Sequence, residues 1–105
     1  MSGMAEELPH PDREDIRLVP VLHALADPMR LHMVRELARI DDEVACGSID
    51  LPISKSTRTH HLRTLREAGV VRIRPSGTAR LTSLRRADLD ALYPGLLDVV
   101  LRAPH

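Results

Sequence analysis

The chain has 105 residues, 43% of them apolar, and its formal charge balances to zero. Tyr93 is its only aromatic residue, so the core of one small domain must be built from aliphatic side chains. The single cysteine, Cys46, excludes an intrachain disulfide and is typical of a reducing cytoplasm. Neither a membrane-spanning apolar run nor a signal sequence is recognisable, which predicts a cytoplasmic protein without membrane contact.

The first half of the chain predicts a tail followed by two helices. Residues 1–14 are polar, contain two prolines and are predicted to form a mobile N-terminal tail, while residues 15–105 form the folded domain. Asp27 and Pro28 favour a helix start, with an N-cap aspartate before a proline in the first turn. Apolar residues recur at helical spacing in two segments, 16–26 and 28–40.

The second half predicts a helix joined directly to a β-hairpin. Ser54 is a good N-cap for that helix, and Gly69 is a natural stop. Residues 75–77, Pro-Ser-Gly, predict the turn of the hairpin. The predicted elements are a short supporting helix over 45–50, a helix over 55–68, a hairpin over 70–83 and a final helix over 86–101 that is broken near Pro94.

This order predicts a mainly α fold with a two-stranded β-wing, the layout of a winged helix-turn-helix in which the wing follows the fourth of five helices. Basic residues are concentrated in the same window, between Ser54 and Arg86, where Glu67 is the only acid. They are Lys55, Arg58, Arg63, Arg66, Arg72, Arg74, Arg80, Arg85 and Arg86. Because the cationic patch and the helix-plus-wing pattern occupy the same window, we expect a surface that binds DNA phosphates rather than a charged surface that only faces solvent.

The last helix is more apolar than an exposed monomer end should be. Its apolar residues could form a seam against the first helix of a second copy, giving a homodimer, or could pack back on their own domain. The residues predicted for the seam are Val19, Leu22, Leu89, Leu92, Leu96 and Val100.

Three stretches carry a family resemblance, and they read ALADPMRLHMVRELA (24–38), SKSTRTHHLRTLREAGVVR (54–72) and PSGTARLTSL (75–84). They resemble the ArsR/SmtB type of bacterial transcriptional regulator over about residues 21 to 92. The resemblance implies a homodimer with a helical body and a two-stranded wing. It also implies binding to a palindromic DNA operator, usually as a repressor that a ligand releases.

Carried onto this chain, the resemblance places DNA contacts on the helix over 55–68 and on the wing. The base-facing positions would be Lys55, Ser56, Thr57, Thr59 and His60, in the first two turns of that helix. The phosphate-facing positions would be Arg63, Arg72, Arg74 and Arg80. His61 is predicted to face inward as a structural histidine, and the role of Arg58 stays open.

The signal that such a regulator would sense is harder to predict. A soft-metal site of the family's usual kind needs several nearby cysteines, and Cys46 stands alone. His23 and His32, with Cys46, are the remaining candidates for an atypical metal site, although helical histidines more often serve structure. Cys46 could also act as a redox switch, although a small buried hydrophobe is its ordinary role. We therefore expect no cofactor, and a signal from an accessory sensor protein or a small-molecule ligand.

Other classes of function receive less support. The chain has no glycine-rich phosphate loop, no metalloprotease motif and no nucleophile motif, so an enzyme is not expected. A winged helix can also serve as a protein-protein adaptor, and that remains the alternative to a regulator of transcription.

Overall fold

The computed structural model describes residues 8–104, apart from the side chain of Cys46. The chain forms five helices and three strands within that range. In chain order these are α1 (Leu18–Leu25), α2 (Pro28–Ile40), β1 (Val44–Ala45), α3 (Lys55–Ala68), β2 (Val71–Ser76), β3 (Ala79–Leu84), α4 (Arg86–Leu92) and α5 (Leu96–Arg102).

The helix boundaries follow their predicted capping residues. The Asp27 carboxylate accepts hydrogen bonds from the amides of Met29 and Arg30, at 2.9 and 3.1 Å, and so caps α2. Ser54 accepts from the amide of Thr57 at 3.2 Å at the start of α3. Gly69 ends α3 in the left-handed region, with φ of 89°. The predicted starts of these two helices are confirmed.

The sheet has three strands in the order β1-β3-β2, all antiparallel, and the two-stranded wing predicted from the sequence was therefore incomplete. The predicted helix over 45–50 was wrong as well. Val44 and Ala45 pair with Thr82 and Leu81 along the side of β3 that does not face β2, and a single 3₁₀ turn follows at Cys46–Ser48. A segment of six residues is too short to nucleate a helix by itself, whereas a strand edge offers ready backbone partners.

The hairpin turn lies at residues 77–78, two residues later than its predicted start. Gly77 has φ of 61°, which suits a two-residue hairpin turn. Pro75 lies within β2 opposite Arg80. Because β2 is an edge strand, the missing amide hydrogen of this proline costs the sheet no hydrogen bond.

The final helix is divided into α4 and α5 by Tyr93–Gly95, as the proline at 94 predicted. Leu89 of α4, which was predicted at the dimer seam, is completely buried in the chain's own core. That part of the prediction was wrong, because α4 turns this side chain inward. Leu92, Leu96 and Val100 are half-buried and pack against the core, as the alternative to a seam expected.

Residues 8–14 lie against the domain. Arg66 donates to the Pro9 carbonyl at 2.5 Å, Arg85 donates to the Pro11 carbonyl at 2.7 Å, and Arg13 forms a 2.8 Å ion pair with Asp88. The remainder of the predicted tail, residues 1–7, lies outside the described residues. Within the described part of the chain, no helix has both the length and the apolar content needed to span a bilayer.

Candidate nucleic-acid interface

The first two turns of α3 present a polar, exposed face. All five residues predicted to face DNA bases are exposed there, namely Lys55, Ser56, Thr57, Thr59 and His60. Leu62 and Leu65 occupy the opposite, buried side of the helix. The helical period therefore separates a side that packs from a side that is available to a ligand.

Hydrogen bonds orient part of this face. The Ser54 hydroxyl donates to the Thr57 hydroxyl at 2.9 Å and lies 3.2 Å from that of Ser56. Thr59 donates its hydroxyl proton back to the Lys55 carbonyl at 3.0 Å. These contacts hold the short side chains of Ser56, Thr57 and Thr59 close to the helix.

A groove of about 750 Å³ runs between α3 and the wing. Its apolar lining includes Leu8, Ile53, Leu62 and Ile73. Its cationic lining consists of Lys55, Arg58, Arg63, Arg66 and Arg80. The recognition-helix candidate and the wing thus share one positively charged depression, the kind of surface that attracts a polyanion.

The register of the hairpin divides the predicted wing arginines between two faces. Arg80 pairs with Pro75 and so shares the face of Ile73, which is turned towards the groove. Arg72 and Arg74 alternate with these residues and lie on the opposite face. Of the predicted phosphate-binding residues, Arg63 and Arg80 are brought together in the groove, and the other two are not.

Arg74 already has a partner. Its guanidinium forms two hydrogen bonds with the Glu43 carboxylate, at 2.6 and 2.7 Å. These bonds from Arg74 lower the pKa of the Glu43 carboxyl below its ordinary value. A phosphate would therefore have to compete with Glu43 for this guanidinium, which sequence reasoning could not show because the two residues lie 31 positions apart.

Behind α3, a buried hydrogen-bond network joins the helix to the α1–α2 junction. Arg30 Nη1 donates to His61 Nδ1 at 3.1 Å, so Nδ1 is the unprotonated ring nitrogen. The other ring nitrogen, Nε2, lies 3.9 Å from the Asp27 carboxylate. His61 is thus the inward-facing structural histidine that the sequence predicted. Arg30 was missed, although it lies inside the ALADPMR stretch.

Arg58 reaches the segment that follows β1. Its Nη2 donates to the Ile49 carbonyl at 3.2 Å. Its Nε is buried and has no hydrogen-bond partner among the described residues. The contact fixes the loop in front of α3 to the helix, which gives Arg58 a structural role that the sequence had left open.

The two candidate metal-ligating histidines belong to no metal-binding cluster of the described side chains. His23 on α1 and His32 on α2 are both exposed. Over residues 8–104, no group of three or more histidine, cysteine, aspartate or glutamate side chains has a geometry that could hold a metal ion. The structure does not describe the side chain of Cys46, the third candidate ligand.

Comparison with known proteins identifies the family. The chain is 33% identical over 82 residues to YceK of Bacillus subtilis, an uncharacterised HTH-type transcriptional regulator, and the match covers 76% of this chain and 82% of YceK. It is 39% identical over 75 residues to the HTH-type transcriptional regulator Rv2034 of Mycobacterium tuberculosis, covering 70% of this chain and 68% of the relative. A scan against models of protein families found no match.

Solved structures agree with these sequence matches. A crystal structure of an ArsR family transcriptional regulator superposes with a TM-score of 0.64 at 20% identity, covering 76% of this chain and 82% of the other. The transcriptional repressor BigR of Xylella fastidiosa superposes with a TM-score of 0.60 at 25% identity, covering 83% and 87% of the two chains. The chain belongs to the HTH-type transcriptional regulators, and its fold is that of an ArsR family regulator.

The sequence relatives indicate what this surface is for. Both are named HTH-type transcriptional regulators, which are DNA-binding proteins. In this chain, α3 stands directly before the hairpin formed by β2 and β3. The exposed face of α3 and the groove beside it form the candidate DNA interface.

Proposed function

We propose that this protein is a homodimeric repressor that binds a palindromic DNA operator with α3 in the major groove. Lys55, Thr59 and His60 would contact base edges, together with Ser56 and Thr57. Arg63 and Arg80 would hold phosphates beside the groove. The observation that supports this most is the shared cationic groove between α3 and the wing, because helix and hairpin then meet one duplex from the same side.

A dimer is supported by apolar side chains that the chain leaves uncovered. Val19 is 74% exposed and Leu22 is 43% exposed on α1, and Val99 is 68% exposed on α5. Both helices lie outside the DNA-facing part of the fold. We propose that these helices pair with those of a second copy, with Leu96 and Val100 of α5 beside them.

The relative BigR is named as a transcriptional repressor, which supports repression as the mode of action. For the signal, we propose an accessory protein or a small organic molecule rather than a resident cofactor. An atypical metal site is the second candidate, and a titration with Zn²⁺ or Ni²⁺ distinguishes the two.

The test is fluorescence anisotropy with the duplex upstream of the protein's own gene and a random duplex of equal length, over a salt series. We expect preference for the first duplex and an affinity that falls steeply as salt rises. Lys55→Glu and Arg63→Glu should each abolish specific binding. Arg102→Glu makes the same charge change on the exposed end of α5 and should leave binding unchanged.

The alternative function is that of a protein-protein adaptor. If specific binding survives both Lys55→Glu and Arg63→Glu with an unchanged salt slope, α3 is not the DNA interface. If no duplex is preferred under any condition, including duplexes selected from random sequence, the protein is an adaptor and not a sequence-specific regulator. Repression itself is tested by a reporter gene under the bound promoter, which an activator would switch on.

A further inference from the structure

The N-terminal segment, residues 8–16, crosses three parts of the DNA-binding half of the molecule; we call it the strap. Its carbonyl oxygens accept hydrogen bonds from Arg66 of α3 and from Arg85, which precedes α4. Its Leu8 side chain lines the groove between α3 and the wing. The strap therefore joins the recognition helix to the base of the hairpin.

His10 makes the one side-chain contact from this segment to the β2 backbone that the described hydrogen bonds record. The Ile73 amide donates to His10 Nε2 at 3.0 Å, on the edge of β2 that faces away from β3. Pro75, two residues further along the same edge, has no amide hydrogen to offer. The imidazole therefore satisfies a backbone donor that the sheet leaves without a strand partner.

This hydrogen bond requires a neutral imidazole, because a protonated ring has no acceptor nitrogen. The surroundings favour the neutral form. Burial lowers the pKa of His10, and the guanidinium charges of Arg72, Arg66 and Arg85 lower it further, against a hydrogen bond with the Leu8 backbone that raises it. The charges that act on the ring from β2, from α3 and from the start of α4 are the guanidinium groups of Arg72, Arg66 and Arg85, and Arg85 is also paired with Asp88 at 2.9 Å.

We propose that His10 is a positioning residue for DNA binding, which latches the strap to β2 and so fixes the wing relative to α3, and that its protonation opens the latch. The proposal rests on the proposed function of α3 and the wing as the DNA interface. Protonation removes the Ile73 hydrogen bond, and it also introduces a positive charge that three arginines repel. Both effects favour the open strap over the latched one.

The sign of the pH effect follows from this. Above the ordinary histidine value of about 6.5 the imidazole is neutral in both the latched and the open strap, and the latch is intact. As the pH falls below that value, the open strap takes up the proton first, and latching weakens until the pH passes the lowered value of the latched form. DNA affinity should therefore fall on acidification by the part that the latch contributes.

The test measures the affinity for the duplex upstream of the protein's own gene, the operator probe, at pH 7.5 and 5.5 for the wild type, His10→Gln and His10→Ala. Glutamine places an uncharged acceptor near the position of Nε2, so His10→Gln should bind almost as the wild type does at pH 7.5. At pH 5.5 it should bind about three- to tenfold more tightly than the wild type, the worth of one hydrogen bond. His10→Ala should be weaker than the wild type at pH 7.5 and should lose less on acidification.

Comparing the wild type with His10→Gln isolates the contribution of His10. His60 and His61 are present in all three proteins, so their effects cancel between the wild type and His10→Gln. His32→Gln, on the exposed side of α2, is the matched control and should keep the wild-type profile. Parallel pH profiles for the wild type and His10→Gln would overturn the proposal, as would full affinity of His10→Ala at pH 7.5.

A measurement without DNA separates the latch from the function that it serves. In an ¹⁵N-labelled sample, the Ile73 amide resonance should titrate together with the His10 imidazole, and should lose that dependence in His10→Gln. If Ile73 does not follow His10, the latch does not exist. If the Ile73 resonance follows His10 but the affinity for the operator probe does not change with His10 protonation, the positioning role is wrong. Absence of operator binding at every pH would refute the proposed function itself.

Discussion

Replacing Arg30 with methionine should destabilise the protein, because it removes the hydrogen-bond donor of a buried backbone carbonyl at the α1–α2 junction. Ala24 lies in the last turn of α1, where carbonyl groups have no intrahelical donor because the helix ends at Leu25 and Asp27 is extended. Arg30 Nε supplies a donor and binds the Ala24 carbonyl at 2.7 Å. The same guanidinium reaches the His23 carbonyl at 3.2 Å and the ring of His61.

The expected magnitude follows from these partners. Arg30 is only 8% exposed, so Arg30→Met leaves the buried carbonyl of Ala24 and the buried Nδ1 of His61 unsatisfied. Each orphaned group costs about 1–3 kcal/mol. Relief from burying a charge offsets part of this sum. We therefore expect a loss of about 3 kcal/mol, which for a domain of this size lowers the melting temperature by about 10 °C or more.

Urea unfolding followed by far-ultraviolet circular dichroism, at one fixed protein concentration, measures the loss. Arg30→Lys should be intermediate, because one ammonium cannot reach three acceptors. Arg102→Met removes an exposed arginine from α5 and should change the unfolding free energy by no more than about 0.5 kcal/mol. If Arg30→Met lost less than about 1 kcal/mol, the network would be incidental to stability, and the reasoning from the Ala24 carbonyl would be wrong.

Three further changes test other parts of the structure. Glu43→Gln weakens the ion pair of Arg74, which lies on the hairpin face opposite the groove, and should leave the slope of log affinity against log salt unchanged; a slope steeper by about 0.9 in the anisotropy titration would place Arg74 among the phosphate contacts. Gly69→Ala should cost more than about 1 kcal/mol in thermal unfolding, because φ is +89° and a Cβ would lie 2.6 and 2.7 Å from side-chain atoms of Ile16. The hydrogen bond from Arg13 lowers the pKa of Asp88 despite burial, so its stabilisation should be present above the ordinary value of about 3.9 and lost as the pH falls through the lowered one; acid titration of Asp88→Asn should lack this component.

The sequence predicted those features that depend on neighbours along the chain. A helix start is set within three residues, and Asp27 and Ser54 each bind amides two or three positions on. Gly69 could be recognised because an α-helix end in the left-handed region favours glycine. The exposed face of α3 followed in the same way from the spacing of Leu62 and Leu65.

Features that depend on strand register could not be predicted from the same signals. A turn at 75–77 and the observed turn at 77–78 give different pairings, and a shift of one residue moves a side chain to the other face of the hairpin. This is why Arg72 and Arg80 were grouped in one phosphate-binding set, although the sheet separates them. β1 was missed for a related reason. Its two residues form a strand only because they pair with β3, and a segment of two residues carries no alternating pattern that predicts a strand.

The α1–α2 junction shows how a local rule can have a distant consequence for the site. Asp27 caps α2 in an extended conformation, and the end of α1 before it leaves the Ala24 carbonyl without a helical donor. Arg30, in the first turn of α2, supplies that donor, and its guanidinium also donates to His61. The next residue back along α3, His60, is exposed on the candidate DNA face. The end of α1 and α3 are therefore joined by one side chain, and neither can shift relative to the other without breaking a buried hydrogen bond.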